Sequence, residues 1–86
     1  MGVIRGIELE RRARTKVAAS TDAEWLSAEV EDGRLRLFVE EGDDTGVEEF
    51  EVAMFATGDE VPDYLQFVDT VQFNGNTVHV YVDDQE

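Results

Sequence analysis

Eighty-six residues make one domain over 1–86, and a chain of this size buries only about 60 % of the surface that its unfolded form exposes. With no cysteine and a single histidine, disulfides and a four-ligand structural zinc site are excluded as sources of extra stability. A net charge of -14 argues against direct binding to a nucleic-acid backbone, where affinity comes from neutralising phosphates with Lys and Arg.

In chain order, MGVIRGIELERR lacks the apolar stretch of a signal peptide, and no segment approaches the roughly 18 apolar residues of a membrane span. The expectation is therefore a protein of a host cytoplasm or of a virion packaged from it, without a membrane. Residues 4–9 read as a strand. Arg11-Arg12-Ala13-Arg14-Thr15-Lys16 follows, with four bases in six residues. Such a run is either a contact for phosphate or an acidic neighbour, or a solvated strand or turn; with no interleaved aromatics it favours the second.

Residues 15–19 predict a short strand. Thr21-Asp22-Ala23-Glu24 has the form of a capping box, which predicts one helical turn. Beyond it, Leu26, Ala28 and Val30 alternate. Asp32-Gly33 then closes a hairpin onto Leu35, Leu37 and Val39. Residues 41–46 read as an acidic loop, and Phe50, Val52 and Met54 alternate again.

The only proline, Pro62, marks a turn over 59–63. Residues 65–73 predict a strand with Leu65, Phe67, Asp69, Val71 and Phe73 on one side. Asn74-Gly75-Asn76 turns this strand into 77–82. Six or seven short strands at this spacing predict an all-β fold, a small antiparallel sandwich or partly open barrel.

Several strands are apolar on both sides. Phe38 lies opposite Leu35, Leu37 and Val39; Ala53 and Phe55 oppose Phe50, Val52 and Met54; His79 and Tyr81 oppose the valines of 78–82. An antiparallel sheet with one wet face should carry a polar outer row. The pattern therefore predicts that Phe38, Phe55, Tyr81 and His79, with Trp25 as core plug or interface anchor, meet another chain. The alternative is that Trp25 and the N-terminal segment fold over that face.

His79 is the sole residue that ordinarily titrates near neutrality. Its strand is apolar, no cysteine is present, and Ser20 and Ser27 sit in no nucleophile motif, so the sequence predicts a hydrogen-bonded packing histidine and no enzyme. The pairs Asp43/Asp44, Glu48/Glu49 and Asp83/Asp84 lack the spacing of a calcium loop. Gly42 and Gly46, separated by acids, make no phosphate cradle. No catalytic, metal or cofactor site is expected.

Charge is unevenly placed. Every base lies at or before Arg36, residues 1–36 sum to zero, and the remaining residues carry the whole of -14. At molar salt the screening length falls to roughly 3 Å, so such a surface is similar to those adapted to a salt-filled cytoplasm. Six arginines against the single Lys16 fit that reading.

The order of the Asp32-Gly33 hairpin, Leu37-Phe38-Val39, Thr57-Gly58 before Val61-Pro62, Asp69-Thr70-Val71-Gln72 and Thr77-Val78-His79-Val80-Tyr81 resembles a family of short phage- and prophage-encoded proteins of unknown function. The resemblance spans about residues 4–82. It implies a compact β domain and a viral setting, and carries no established activity. The family often has a histidine after the Thr-Gly pair, where this chain has Asp59.

Together these readings predict a non-enzymatic structural or accessory protein of a virus infecting an extreme halophile. It would act through protein contacts in a homo-oligomer or virion. The alternative is a small acidic regulator, a nucleic-acid mimic, that occupies a basic groove on a host protein.

Overall fold

Two tight turns set the plan. A computed structural model describes residues 2–9, 14–43 and 46–83; in it Asp32 and Gly33 have φ of 53° and 75°, and Asn74 and Gly75 have 53° and 80°. Positive φ at both central positions is the two-residue hairpin whose twist matches that of its flanking strands. Asx-Gly supplies it, because Asn and Asp tolerate the left-handed region and glycine has no Cβ to clash.

The described strands are β1 (Val3–Leu9), β2 (Arg14–Ser20), β3 (Glu24–Glu31), β4 (Arg34–Glu41), β5 (Val47–Ala56), β6 (Gln66–Phe73) and β7 (Asn76–Asp83). They form an antiparallel sandwich: a three-stranded sheet ordered β1-β4-β3 faces a four-stranded sheet ordered β2-β5-β7-β6. Of the expected all-β forms, a small antiparallel sandwich or a partly open barrel, the chain builds two antiparallel sheets and, among the described residues, no closed barrel. Leu35 and Leu37 from one sheet share a core cluster with Val52, Val80 and Val82 from the other, and these side chains and Val39 are essentially without solvent exposure. Each such side chain contributes about 1.5–3 kcal/mol relative to an exposed one.

No helical turn forms at 21–24. Ala23 N–H bonds Ser20 O at 3.0 Å and Thr21 N–H bonds Gly46 O at 3.1 Å, while Ser20 Oγ donates to Asp22 Oδ1 at 2.7 Å. Only three residues separate β2 from β3, and they are used up in passing from one sheet to the other.

Two β-bulges change which residues face inward. One lies between Trp25 and Ser27 in β3. It brings Trp25 opposite core-facing Val39 and leaves Leu26 41 % exposed, so Leu26 leaves the row predicted for it with Ala28 and Val30. The second lies between Phe67 and Asp69 in β6. Phe67 turns outward opposite Tyr81, and Asp69 turns inward opposite Val80, breaking the predicted row from Leu65 to Phe73. Leu65 itself precedes β6 and is buried. A bulge adds one residue to a strand and so inverts the two-residue period beyond it.

Side chains bridge the two sheets at both flanks of the sandwich. On the β3/β6 flank, Asp69 Oδ2 accepts the Ala28 N–H at 2.9 Å. On the β1/β2 flank, Arg5 Nε donates to Glu41 Oε1 at 2.8 Å and Arg5 Nη2 donates to Ala18 O at 2.9 Å. Glu41 Oε2 accepts the Ser20 N–H at 2.8 Å. Together, Arg5 and Glu41 give the edge of β2 the donor and acceptor that a neighbouring strand would supply.

Because β5 and β6 run parallel on either side of β7, the chain must return between them across the sheet. Residues 57–65 make that crossing on the face away from the other sheet. The basic segment is seen only from Arg14, since Arg11 and Arg12 lie outside the described residues, as do Asp44 and Asp84 of the acidic pairs.

Candidate interaction surface

Val52, Val80 and Val82 face inward, so strand alternation turns Glu51, Ala53 and Phe55 of β5 and His79, Tyr81 and Asp83 of β7 outward. Register places Ala53 beside Tyr81 and Phe55 beside His79. The Tyr81 ring is the centre of a strip: its centroid lies 5.5 Å from Phe55 at 88° and 5.4 Å from Phe67 at 69°. These are edge-to-face pairs, each worth about 0.5–1.5 kcal/mol beyond the area they bury. Phe67, at 53 % exposed, is the open end of the strip.

The crossing segment covers the other end. Ala53 faces outward yet has no exposed surface, and Leu65 is buried although neither belongs to the main core cluster. Tyr64 comes beside Arg14, whose guanidinium is held above its usual pKa first by its bond to Glu51 and then by the Tyr64 hydroxyl. The two-sided apolar strands are thus partly covered from within the chain, by residues 57–65 and not by Trp25 with the N-terminal segment.

His79 sits between two threonines. Its Nε2 is 2.9 Å from Thr57 Oγ1, and its Nδ1 is 2.9 Å from Thr70 Oγ1. A hydroxyl both donates and accepts, so either ring tautomer keeps both bonds. The imidazole therefore ties β6, β7 and the start of the crossing segment together.

The remaining aromatics predicted for an interface lie elsewhere. Phe38 is on the outer face of the opposite sheet, over Gly6, where an added Cβ would come within 3.2 Å of its ring. Trp25 is between the sheets, edge-on to Phe50 with centroids 5.2 Å apart. Its Nε1 is buried without a hydrogen-bond partner among the described residues. Phe55, Tyr81 and His79 share one surface; Phe38 and Trp25 do not join it.

Phe67 and Tyr64 are on this surface and are missed by strand periodicity. The signal for Phe67 is its neighbourhood: Phe67-Val68 puts two apolar residues in succession, and Asp69 stands where alternation requires an apolar one. An open cleft of about 630 Å³ adjoins the strip where β5 ends beside the β6–β7 hairpin, lined by Met54, Phe55, Phe73, Val78, Asn74 and Asn76 among others, with no charged residue. Among the described residues no group of three or more His, Asp or Glu side chains is placed to hold a metal ion.

Charge is also polarised across the sandwich. β1 and β4 carry as many bases as acids, and β2 carries Arg14 and Lys16 with no acid. β3, β5, β6 and β7 carry acids only. The β1/β2 flank is neutral to basic, and the β3/β6 flank is acidic.

Over residues 1–86 the chain matches a domain of unknown function, DUF7352, and belongs to that family. No curated protein and no solved structure matches it significantly.

Proposed function

We propose that this member of the DUF7352 family is a non-enzymatic interaction domain, a structural or accessory component that works through protein contacts in a homo-oligomer or a larger particle. The observation that carries this reading is the Phe55–Tyr81–Phe67 strip, which ends on a half-exposed phenylalanine in a surface otherwise rich in charge. An aromatic that is anchored on one side and open on the other offers a partner a rigid apolar contact at small entropic cost. The setting we propose is a virus of an extreme halophile: the acidic surface and the arginine preference support the halophile, and the resemblance to short phage- and prophage-encoded proteins supports the virus.

Light scattering on the purified chain in molar salt tests the contact. Association is expected, and Phe67→Ser should weaken it without altering the circular dichroism spectrum. A chain that is monomeric at every concentration and finds no particle partner overturns the reading. Mass spectrometry of purified virions tests the setting.

The charge concentrated after Arg36 favours a second reading, an acidic regulator that occupies a basic groove on a host protein. Recovery of one basic partner that is displaced by rising salt, with Phe67→Ser having no effect, would select it.

A further inference from the structure

The free edge of β1 is an interface of a different kind. Of the sheet edges in this sandwich, those of β3 and β6 approach each other and are joined through Asp69, and that of β2 is engaged by Arg5 and Glu41. On the side of β1 away from β4, no strand pairs among the described residues. Alternate residues of Val3–Leu9 therefore present unpaired N–H and C=O groups there.

The usual protections of such an edge are missing. β1 has no proline and no lysine. Its one base, Arg5, is turned toward Glu41 and the Ala18 carbonyl. Val3 and Ile4, at 66 % and 64 % exposed, stand open beside it.

We propose that this edge pairs antiparallel with β1 of a second copy, making one continuous six-stranded sheet. Two features favour that occupant. First, the β1/β2 flank is the neutral-to-basic side of a molecule in which β3, β5, β6 and β7 carry acids only. Two copies that meet along β1 bring their least repulsive flanks together and turn the acidic ones away. Second, the strand complements itself.

Directly opposed residues in an antiparallel pair share a face, so a two-fold pairing must centre on a residue. Centring on Arg5 sets guanidinium against guanidinium, and centring on Glu8 sets carboxylate against carboxylate. Gly6 is the midpoint of Val3–Leu9. Centring there uses the full strand, opposes Val3 with Leu9, Ile4 with Glu8 and Arg5 with Ile7 of the second copy, and places no like charges face to face. A seven-residue edge is a small contact, so the association is concentration-dependent.

The chain has no cysteine, so introduced thiols report only contacts between copies. Opposed Cα atoms in an antiparallel pair are about 4.5–5.5 Å apart, within disulfide reach. Ile4→Cys and Glu8→Cys chains, both altered at surface positions and checked for folding by circular dichroism, are mixed and oxidised. The expected product is a mixed disulfide dimer, enriched at least several-fold over either chain alone and over Glu29→Cys, which lies on the outer face of β3. Equal yields in all four samples, or a wild-type chain that is monomeric across concentration, overturn the proposal. Capture of β1 only by a foreign strand does so too. Phe67→Ser should leave this cross-linking unchanged, which separates the β1 edge from the aromatic strip.

Discussion

Asp69 and Ala28 belong to different sheets, and the carboxylate of the first accepts the backbone N–H of the second at 2.9 Å. The same carboxylate accepts the Thr70 N–H at 2.8 Å through its other oxygen. An acid turned toward the core of a β-sandwich is costly unless its oxygens are bonded. Here it serves an edge N–H that has no strand to pair with. Asp69→Ala is expected to cost about 1–3 kcal/mol, the range for leaving a part-buried donor unsatisfied, and Asp69→Asn less, since one acceptor oxygen remains. Urea denaturation of the three proteins at one salt concentration measures both differences.

The Arg5–Glu41 latch makes a pH prediction. Glu41 is held below the ordinary glutamate range first by its bonds to Arg5 and then by the Ser20 N–H. A folded-state pKa below the unfolded value gives stability that is present above the unfolded pKa, about 4.3 for glutamate, and is lost as pH falls through the folded one. The difference in denaturant midpoint between wild type and Glu41→Gln should therefore be largest near neutrality and shrink in acid. A constant difference across pH would remove the latch from the account.

Salt should stabilise the fold. Glu51 and Asp83 are directly opposed across β5 and β7, and like charges so placed are destabilising. The net charge of -14 adds a longer-range repulsion. Screening shortens from about 10 Å at 0.1 M salt to about 3 Å at 1 M, so the melting temperature should rise over that interval. A flat melting temperature would sink the expectation.

His79→Gln is expected to keep the fold and to lower stability by about 1 kcal/mol, because glutamine replaces at most part of the bonding to Thr57 and Thr70. Chemical denaturation reads the change. A larger loss would mean that the imidazole also supports the packing of the crossing segment.

The hairpin glycines give a test free of packing effects. A Cβ at Gly33 or Gly75 meets nothing within 4 Å, yet φ is +75° and +80°. Gly33→Ala and Gly75→Ala should each cost about 1–2 kcal/mol, from backbone conformation alone. Equal melting temperatures for wild type and both variants would contradict the turn assignment.

Much of this protein was determined locally by its sequence. Asp32-Gly33 and Asn74-Gly75 fix two hairpins through turn chemistry, and the alternation of Leu35, Leu37 and Val39 and of Val78, Val80 and Val82 fixes inner rows through the pleat. What only the tertiary structure decided is which outer faces coincide. Phe38 and Tyr81 read alike along the chain, but strand order puts them on opposite sides of the sandwich, because sheet membership depends on long-range burial. The edge N–H of Ala28 is met by Asp69, and the bulge beside that residue turns Phe67 outward to complete the aromatic strip. Alternation within one strand carries no information about the unpaired donor of another, so that surface emerged only when the two sheets came together.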